Sequence, residues 1–181
     1  MFGLFKSKKE IKITQLVWKN KTAKYIGLLK SIADKENIRL FYFFNDTKTE
    51  LHNILENHPA QRRVSVEPAA KLLSSFGSLS DSYICFVEHH PSFHKENEIL
   101  QHLQNTCEVK EVYFQVSLDE PLFQYFGSDN ILQLMEKMGF QENESLEHSM
   151  ILKAVINAQK KLDEKTGNNA MDAASSKEWL E

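Results

Sequence analysis

The chain has 181 residues, of which 41% are hydrophobic and 26% charged, with a formal net charge of −3. That length builds one domain burying about 70% of the surface its unfolded form exposes, and the slight acidity argues against a nucleic-acid partner. The two cysteines, Cys85 and Cys107, make neither a CxxC motif nor a disulfide framework, which points to a reducing cytoplasm.

The opening "MFGLFKSKKEIKI" has no apolar core after its basic residues, so it is not a secretory signal. No run approaches the roughly 20 apolar residues of a membrane span. Residues 1–13 read as a tail, in which Phe2, Leu4 and Phe5 beside Lys6, Lys8, Lys9 and Lys12 offer at most weak contact with an anionic membrane surface. A single domain is expected over residues 14–165, with a flexible tail over 166–181.

Within the domain, Ala23, Ile26, Leu29 and Ile32 recur at helical spacing, with Tyr25 and Leu28, and predict a helix over 19–36 closed by Asn37. "IRLFYFF" is too short for a helix and too apolar for an edge, so it predicts a buried central strand. "DTKTELHNILENH" predicts a helix with Asp46 or Thr47 as N-cap, and "RRVSV" predicts a strand. Glu67-Pro68 opens a further helix in "EPAAKLLSSFG", closed by Gly77, before the strand "YICFV". "HKENEILQHLQN" turns Ile99, Leu100 and Leu103 inward as a helix, and "EVYFQVSL" is the last strand.

Strand and helix thus alternate four times, the pattern of a doubly wound, mostly parallel α/β sheet with helices on both faces. A helical C-terminal extension follows: "LFQYFG", "SDNILQLMEKMGF" and "SLEHSMILKAVINAQKKLDEK". In the last of these, Ser145 reads as N-cap and Glu147 as a first-turn acid. An apolar stripe runs through Leu146, Met150, Ile151, Ala154, Val155, Ala158 and Leu162. The tail "TGNNAMDAASSKEWLE" is polar and small up to Ser176, and its Trp179 and Leu180 beside acids have the composition of a docking segment.

The stretch "VYFQVSLDEPLFQYFGSDNILQLMEKMGFQENESLEHSMILKAVINAQKKLDE" carries, in order, "SLDE", "FGSD", a helix ending in "MGF", and "LEHSMILKAVINAQKKLDE". In this it resembles the end of the second RecA-like domain of the preprotein translocase ATPase SecA, running into the helical scaffold. Upstream, "KNKTAKYIGLLKSIADKENIRLFYFFNDTKTELHNIL" and "VEHHPSFHKENEIL" resemble earlier segments of the same domain, so the likeness covers roughly residues 19–165. It implies a RecA-like fold, a cytoplasmic setting, and partners in the secretion machinery.

The residues that a translocase motor needs are not in the matching places. No GxxxxGK[ST] string, whose backbone amides would cradle phosphates, occurs in the sequence. After "NEIL", where the family carries its arginine-bearing helicase motif, stand Gln101, His102 and Leu103. The arginines are Arg39, Arg62 and Arg63, all upstream. A fixed guanidinium near the γ-phosphate is therefore not expected. The expectation is a non-catalytic, protein-binding domain that takes no cofactor; the alternative is a nucleotide-binding half-site active only with a separate P-loop-bearing partner.

His90, His94, Glu98 and His102 recur every four residues, as metal ligands on one helix face would. Pro91 breaks the first step, and the set reads as a solvated face, so no metal is expected. Glu147 with His148, and Cys107 with His102, read as structural rather than catalytic. Open α/β sheets bind ligands beyond the carboxyl ends of their strands, which makes Asn45, Asp46 and Thr47 the candidate ligand pocket. Phe123, Tyr125 and Phe126 of the aromatic helix, with Trp179 and Leu180, are the candidate partner-binding residues.

Overall fold

The computed structural model describes residues 10–166 and 173–181. The membrane-contact residues Phe2 to Lys9 lie outside these, as do residues 167–172 of the C-terminal tail. Among the described residues five strands form one all-parallel sheet: β1 (Lys12–Trp18), β2 (Ile38–Tyr42), β3 (Val64–Pro68), β4 (Tyr83–Phe86) and β5 (Glu111–Ser117), in the order β1-β5-β4-β2-β3. The parallel sheet expected from the alternation is present, with one strand more than predicted. β1 pairs with β5 from Lys12 opposite Glu111 to Trp18 opposite Ser117. Its buried Thr14 and Gln15 interrupt the apolar pattern that would have announced it.

Helices cover both faces. On one, α1 (Lys21–Ile32) and α2 (Asn45–Leu55) bury Leu28, Ile32, Leu51 and Leu55 against Leu40 and Cys85 of the sheet. On the other, α3 (Phe93–Thr106), α4 (Pro121–Phe126), α6 (Ser149–Thr166) and α7 (Ser176–Leu180) pack Leu103, Phe123, Val155 and Trp179 around Phe86 and Phe114, whose rings stack 4.9 Å apart. α5 (Ser128–Lys137) adds Met135 to the same core. Each such side chain contributes about 1.5–3 kcal/mol by leaving water. Among the described residues no helix is long and apolar enough to cross a membrane.

Local chemistry explains the boundaries. Asn20 caps α1 by accepting from the Ala23 amide at 2.9 Å, but α1 ends at Ile32 with Ala33 as C-cap, so Asn37, with φ of 50°, turns the chain into β2 and does not close the helix as expected. Pro121 starts α4 and Gly127, at φ 102°, ends it in the left-handed region.

Four expectations are corrected. The buried face of α1 is Ala23, Lys24, Tyr25, Gly27, Leu28 and Ile32, whereas Ile26 is 46% exposed: the stripe is rotated because a lysine takes an inward position. α2 is capped by neither Asp46 nor Thr47; it begins at Asn45 after Phe44, since the acceptor comes from the end of β4. The segment after Pro68 forms only a 3₁₀ helix, Ala69–Ser74: Pro68 belongs to β3, and the chain is extended again at Ser75. α6 begins at Ser149, so Ser145 and Glu147 are not its cap and first turn. Leu146 instead exchanges two backbone hydrogen bonds with Val17, of 2.8 and 3.0 Å, along the edge of β1.

Candidate functional site

β2 lies between β3 and β4, and the chain leaves β2 toward β3 but leaves β4 toward β5 on the opposite side. The loops after β2 and β4 therefore diverge, and the crevice between them is where an open α/β sheet receives a ligand. Here the chain fills it with its own carboxylate. Glu88, 6% exposed, accepts hydrogen bonds from the amides of Phe43 at 2.7 Å and Phe44 at 3.0 Å, and from Thr47 Oγ1 at 2.7 Å. These are the donors at the entrance to α2 that would otherwise meet an anionic ligand. Burial pushes the Glu88 carboxyl up to about 7, against the pull of its hydrogen bonds to Thr47 and Phe43.

Two further donors at this end are also taken. Asn45 N–H donates to Ala174 O at 3.1 Å, and Thr47 N–H to Asp46 Oδ1 at 2.8 Å. Beside them Lys24 reaches inward from α1 and donates to Val87 O at 3.0 Å and to Glu120 Oε1 at 2.7 Å. Glu120 Oε1 also accepts from the Ser117 amide and hydroxyl. Lys21 pairs with Glu50, which also accepts from Tyr25 Oη. The cavity left among Lys21, Lys24, Asp46, Glu88 and Glu120 is about 40 Å³, room for a water or two. Three carboxyl groups, Asp46, Glu88 and Glu120, and two ammonium groups, Lys21 and Lys24, surround it.

Two histidines follow Glu88. His89 bridges β1 and α3: its Nε2 lies 2.7 Å from Gln15 Oε1 and its Nδ1 3.0 Å from both Glu96 oxygens, while its ring stacks on Phe114 at 4.2 Å. His90 accepts from the Ser92 amide at Nδ1, so its hydrogen is on Nε2. Burial, and then the charge of Lys95, push His90 down to about 4, which keeps it neutral. Its ring sits against Phe43, Phe44 and Trp179. On the far side of His90 a hollow of about 320 Å³ opens beyond the carboxyl ends of β2 and β3, walled by Tyr42, Phe43, Leu73 and Ile99.

The ligand-pocket candidates Asn45, Asp46 and Thr47 are thus brought to the crevice, but Asn45 and Thr47 act there through intramolecular hydrogen bonds. The metal candidates are dispersed in role: His90 is packed among rings, the His94 amide donates to Asp163, Glu98 lines the hollow, and His102 Nε2 bonds Ser75 O at 2.9 Å. Among the described residues no group of three or more His, Cys, Asp or Glu is placed to hold a metal ion. Of the partner candidates, Phe123 is fully buried and Trp179 is 5% exposed, both in this chain's own core. Phe126 and Leu180 are half-buried against the same core, and Tyr125, 44% exposed, accepts from Lys165 Nζ. α6 and α7 cover the aromatic helix α4 from within.

Arg39, Arg62 and Arg63 line a depression at the opposite, amino end of β2 and β3. Arg39 is bound to Glu67 at 2.6 Å, and Arg63 to the carbonyls of Ala33 and Lys35 and to Glu36. Sequence reasoning missed Lys24, Glu88, His89, Glu96 and Glu120. The available signal was position: "EHH" directly follows the apolar strand "YICFV", which puts it at the carboxyl edge.

No family model matches the chain. It is 34% identical over 94 residues to the protein translocase subunit SecA of Chlorobium phaeobacteroides strain BS1, a stretch of 52% of this chain and 9% of that protein. To SecA of Campylobacter hominis it is 36% identical over 93 residues, 51% of this chain and 10% of that protein. To SecA of Acidithiobacillus ferrooxidans it is 29% identical over 117 residues, 61% of this chain and 13% of that protein. Half of this chain is SecA-like. It spans about a tenth of the length of these relatives, and its α/β fold with an all-parallel sheet is consistent with a RecA-like domain. The SecA-like chain therefore carries a partial domain related to a translocase subunit.

Proposed function

We propose that this SecA-like chain is a non-catalytic, protein-binding domain that serves preprotein translocation in the cytoplasm. The observation that carries this is Glu88 in the switch-point crevice: a buried carboxylate already holds the amides of Phe43 and Phe44 that a phosphate would need. A phosphate entering there would have to displace the Glu88 carboxyl while facing Asp46 and Glu120. The arginines lie at the other end of the sheet, where Arg39 and Arg63 are engaged with the chain's own acceptors, which supports the same reading.

A second reading, a nucleotide-binding half-site completed by a P-loop-bearing partner, draws on the 320 Å³ hollow and its aromatic wall at Phe43, of a size that admits a planar base. One measurement separates them. A ligand at a hundred times its dissociation constant stabilises by about 2.7 kcal/mol. The expected outcome is a melting temperature that does not move with millimolar ATP and magnesium; a clear rise overturns the non-catalytic reading in favour of the half-site.

A further inference from the structure

The carboxyl-edge crevice is roofed by the C-terminal segment 173–181. Ser176 of α7 lines the cavity with Lys24, Thr47 and Glu88, and Ala174 O takes the amide hydrogen of Asn45. Trp179 is the anchor: it is 5% exposed, edge-on to His90 at 5.6 Å, with Leu180 packed against the core beside it. A helix of five residues does not hold together alone. Its shape comes from docking and from its own cap, in which Ser175 Oγ accepts from the Glu178 amide at 3.1 Å and Glu178 Oε2 accepts from the Ala174 amide at 2.7 Å. The seat is also incomplete. Among the described residues Trp179 Nε1 is buried with no hydrogen-bond partner, so the segment sits in place with an unmet polar group.

A self-capped turn with one aromatic anchor, held on a surface that does not satisfy it fully, has the properties of an exchangeable ligand. We propose that the surface under α7 is a receptor for short helical turns with an acidic cap and a Trp-Leu pair, and that residues 173–181 occupy it until a partner protein presents such a turn. This deepens the protein-binding reading above and rests on it. The partner is defined by the chemistry of the resident segment: a small N-capping hydroxyl, a Glu three residues on, and then Trp and Leu. Displacement uncovers Asn45 N–H, the crevice at Glu88 and the face of α4 together, so arrival of the partner changes the whole carboxyl edge of the sheet.

The test uses a labelled peptide with the sequence of residues 173–181, AASSKEWLE, titrated by fluorescence anisotropy into the full chain and into the full chain bearing Trp179→Ala. A resident segment taxes an incoming one by the fraction of time the seat is filled, so roughly tenfold or more tighter binding to the variant is expected. The peptide with its own Trp replaced by Ala should not bind. Equal affinity for both chains, or indifference to the peptide's Trp, overturns the proposal. Should the variant fail to fold, hydrogen exchange on the unaltered chain decides: the hydrogen-bonded amides of Glu178 and Trp179 are expected to exchange roughly a hundredfold faster than those of Phe114 and Val116, through local opening. Exchange of both sets at one global rate makes α7 a fixed part of the core. The ATP melt is independent of all these readouts, so failure of the non-catalytic reading and failure of the receptor are told apart.

Discussion

Lys24 Nζ lies 2.7 Å from Glu120 Oε1 with the two side chains only 2% and 11% exposed, so an ammonium and a carboxylate share the interior at the carboxyl edge of the sheet. The lysine donates a second hydrogen bond to Val87 O, and the same Glu120 oxygen also accepts from the Ser117 amide and hydroxyl. Such a pair adds little over an apolar replacement of both, but breaking it by halves leaves an uncompensated buried charge, at about 3–5 kcal/mol. Lys24→Met is therefore expected to destabilise by that amount and Glu120→Gln by a similar one. The double variant should recover much of the loss, as read by urea denaturation in a double-mutant cycle. Additive losses would show that the two groups do not depend on each other.

Glu88 and His90 give opposite contributions to stability against pH. Folded Glu88 keeps its proton up to about 7 because it is buried, whereas its ordinary value is 4.5; stability falls as pH rises through that window. Folded His90 takes no proton until about 4, against an ordinary 6.5, so stability is lost as pH falls from 6.5 toward 4. Glu88 faces Lys24 and Glu120, and His90 faces Lys95, Glu96 and Asp163, whose charges are minor beside burial in both cases. The slopes overlap and offset each other. Glu88→Gln, which keeps an acceptor for the Phe43 and Phe44 amides, should unmask the His90 slope: stability rising by on the order of 2 kcal/mol more than in the parent between pH 4.5 and 6.5. Urea midpoints at four pH values read this directly, and a profile parallel to the parent's would assign the crevice a carboxyl of ordinary acidity.

Apolar patterning made β2, β4, β5 and their order with the helices legible, because a buried parallel strand needs little besides a short apolar run between turn signals. It failed where polar side chains are buried. β1 was hidden by Thr14 and Gln15, and the face of α1 was misassigned because Lys24 points inward, 1% exposed. Gln15 and Lys24 belong to the candidate site, through His89 and Glu120. The crevice itself was predicted from Asn45, Asp46 and Thr47, but its occupant was not, since Glu88 is 41 residues from Thr47 in sequence and meets it only through the pairing of β2 with β4. The composition around Trp179 and Leu180 suggests a docking segment; that both residues pack on their own chain is a property of the fold and not of the composition.

A different constraint sits behind the sheet. The Trp18 indole lies across α1 so closely that a Cβ on Gly27 would come within 2.1 Å of its ring carbons. The ring is not free to swing away, because Nε1 donates to Gln115 Oε1 at 2.6 Å in the interior. In an open helix Gly→Ala gains about 1 kcal/mol of propensity. Here overpacking, which costs about 1–3 kcal/mol or more, opposes and exceeds that gain. Gly27→Ala is expected to lower the melting temperature, and Trp18→Leu in the same chain to restore part of it. A stabilised Gly27→Ala variant would mean that α1 rides further from β1 than its packing indicates.

The long helix α6 decides whether the C-terminal extension is part of this domain or a surface kept for others. Val155 is fully buried, and Ile151, Ala158 and Leu162 on the same stripe are each within a few per cent of it, packed with α3 and α4 on the sheet's second face. The stripe does not extend to Met150, which is 69% exposed in the first turn, so burial tracks contact with this chain's own core. An aspartate at position 155 would place a charge in an apolar core in the position of a fully buried valine. Val155→Asp is therefore expected to destabilise the chain by a few kcal/mol, whereas Lys153→Asp on the exposed side should stay within about 0.5 kcal/mol. Thermal denaturation followed by circular dichroism, with size-exclusion chromatography alongside, reads both. If Val155→Asp melts where the parent does but loses a dimer or a captured partner, then α6 is an interface and its packing on α3 and α4 does not hold the fold together.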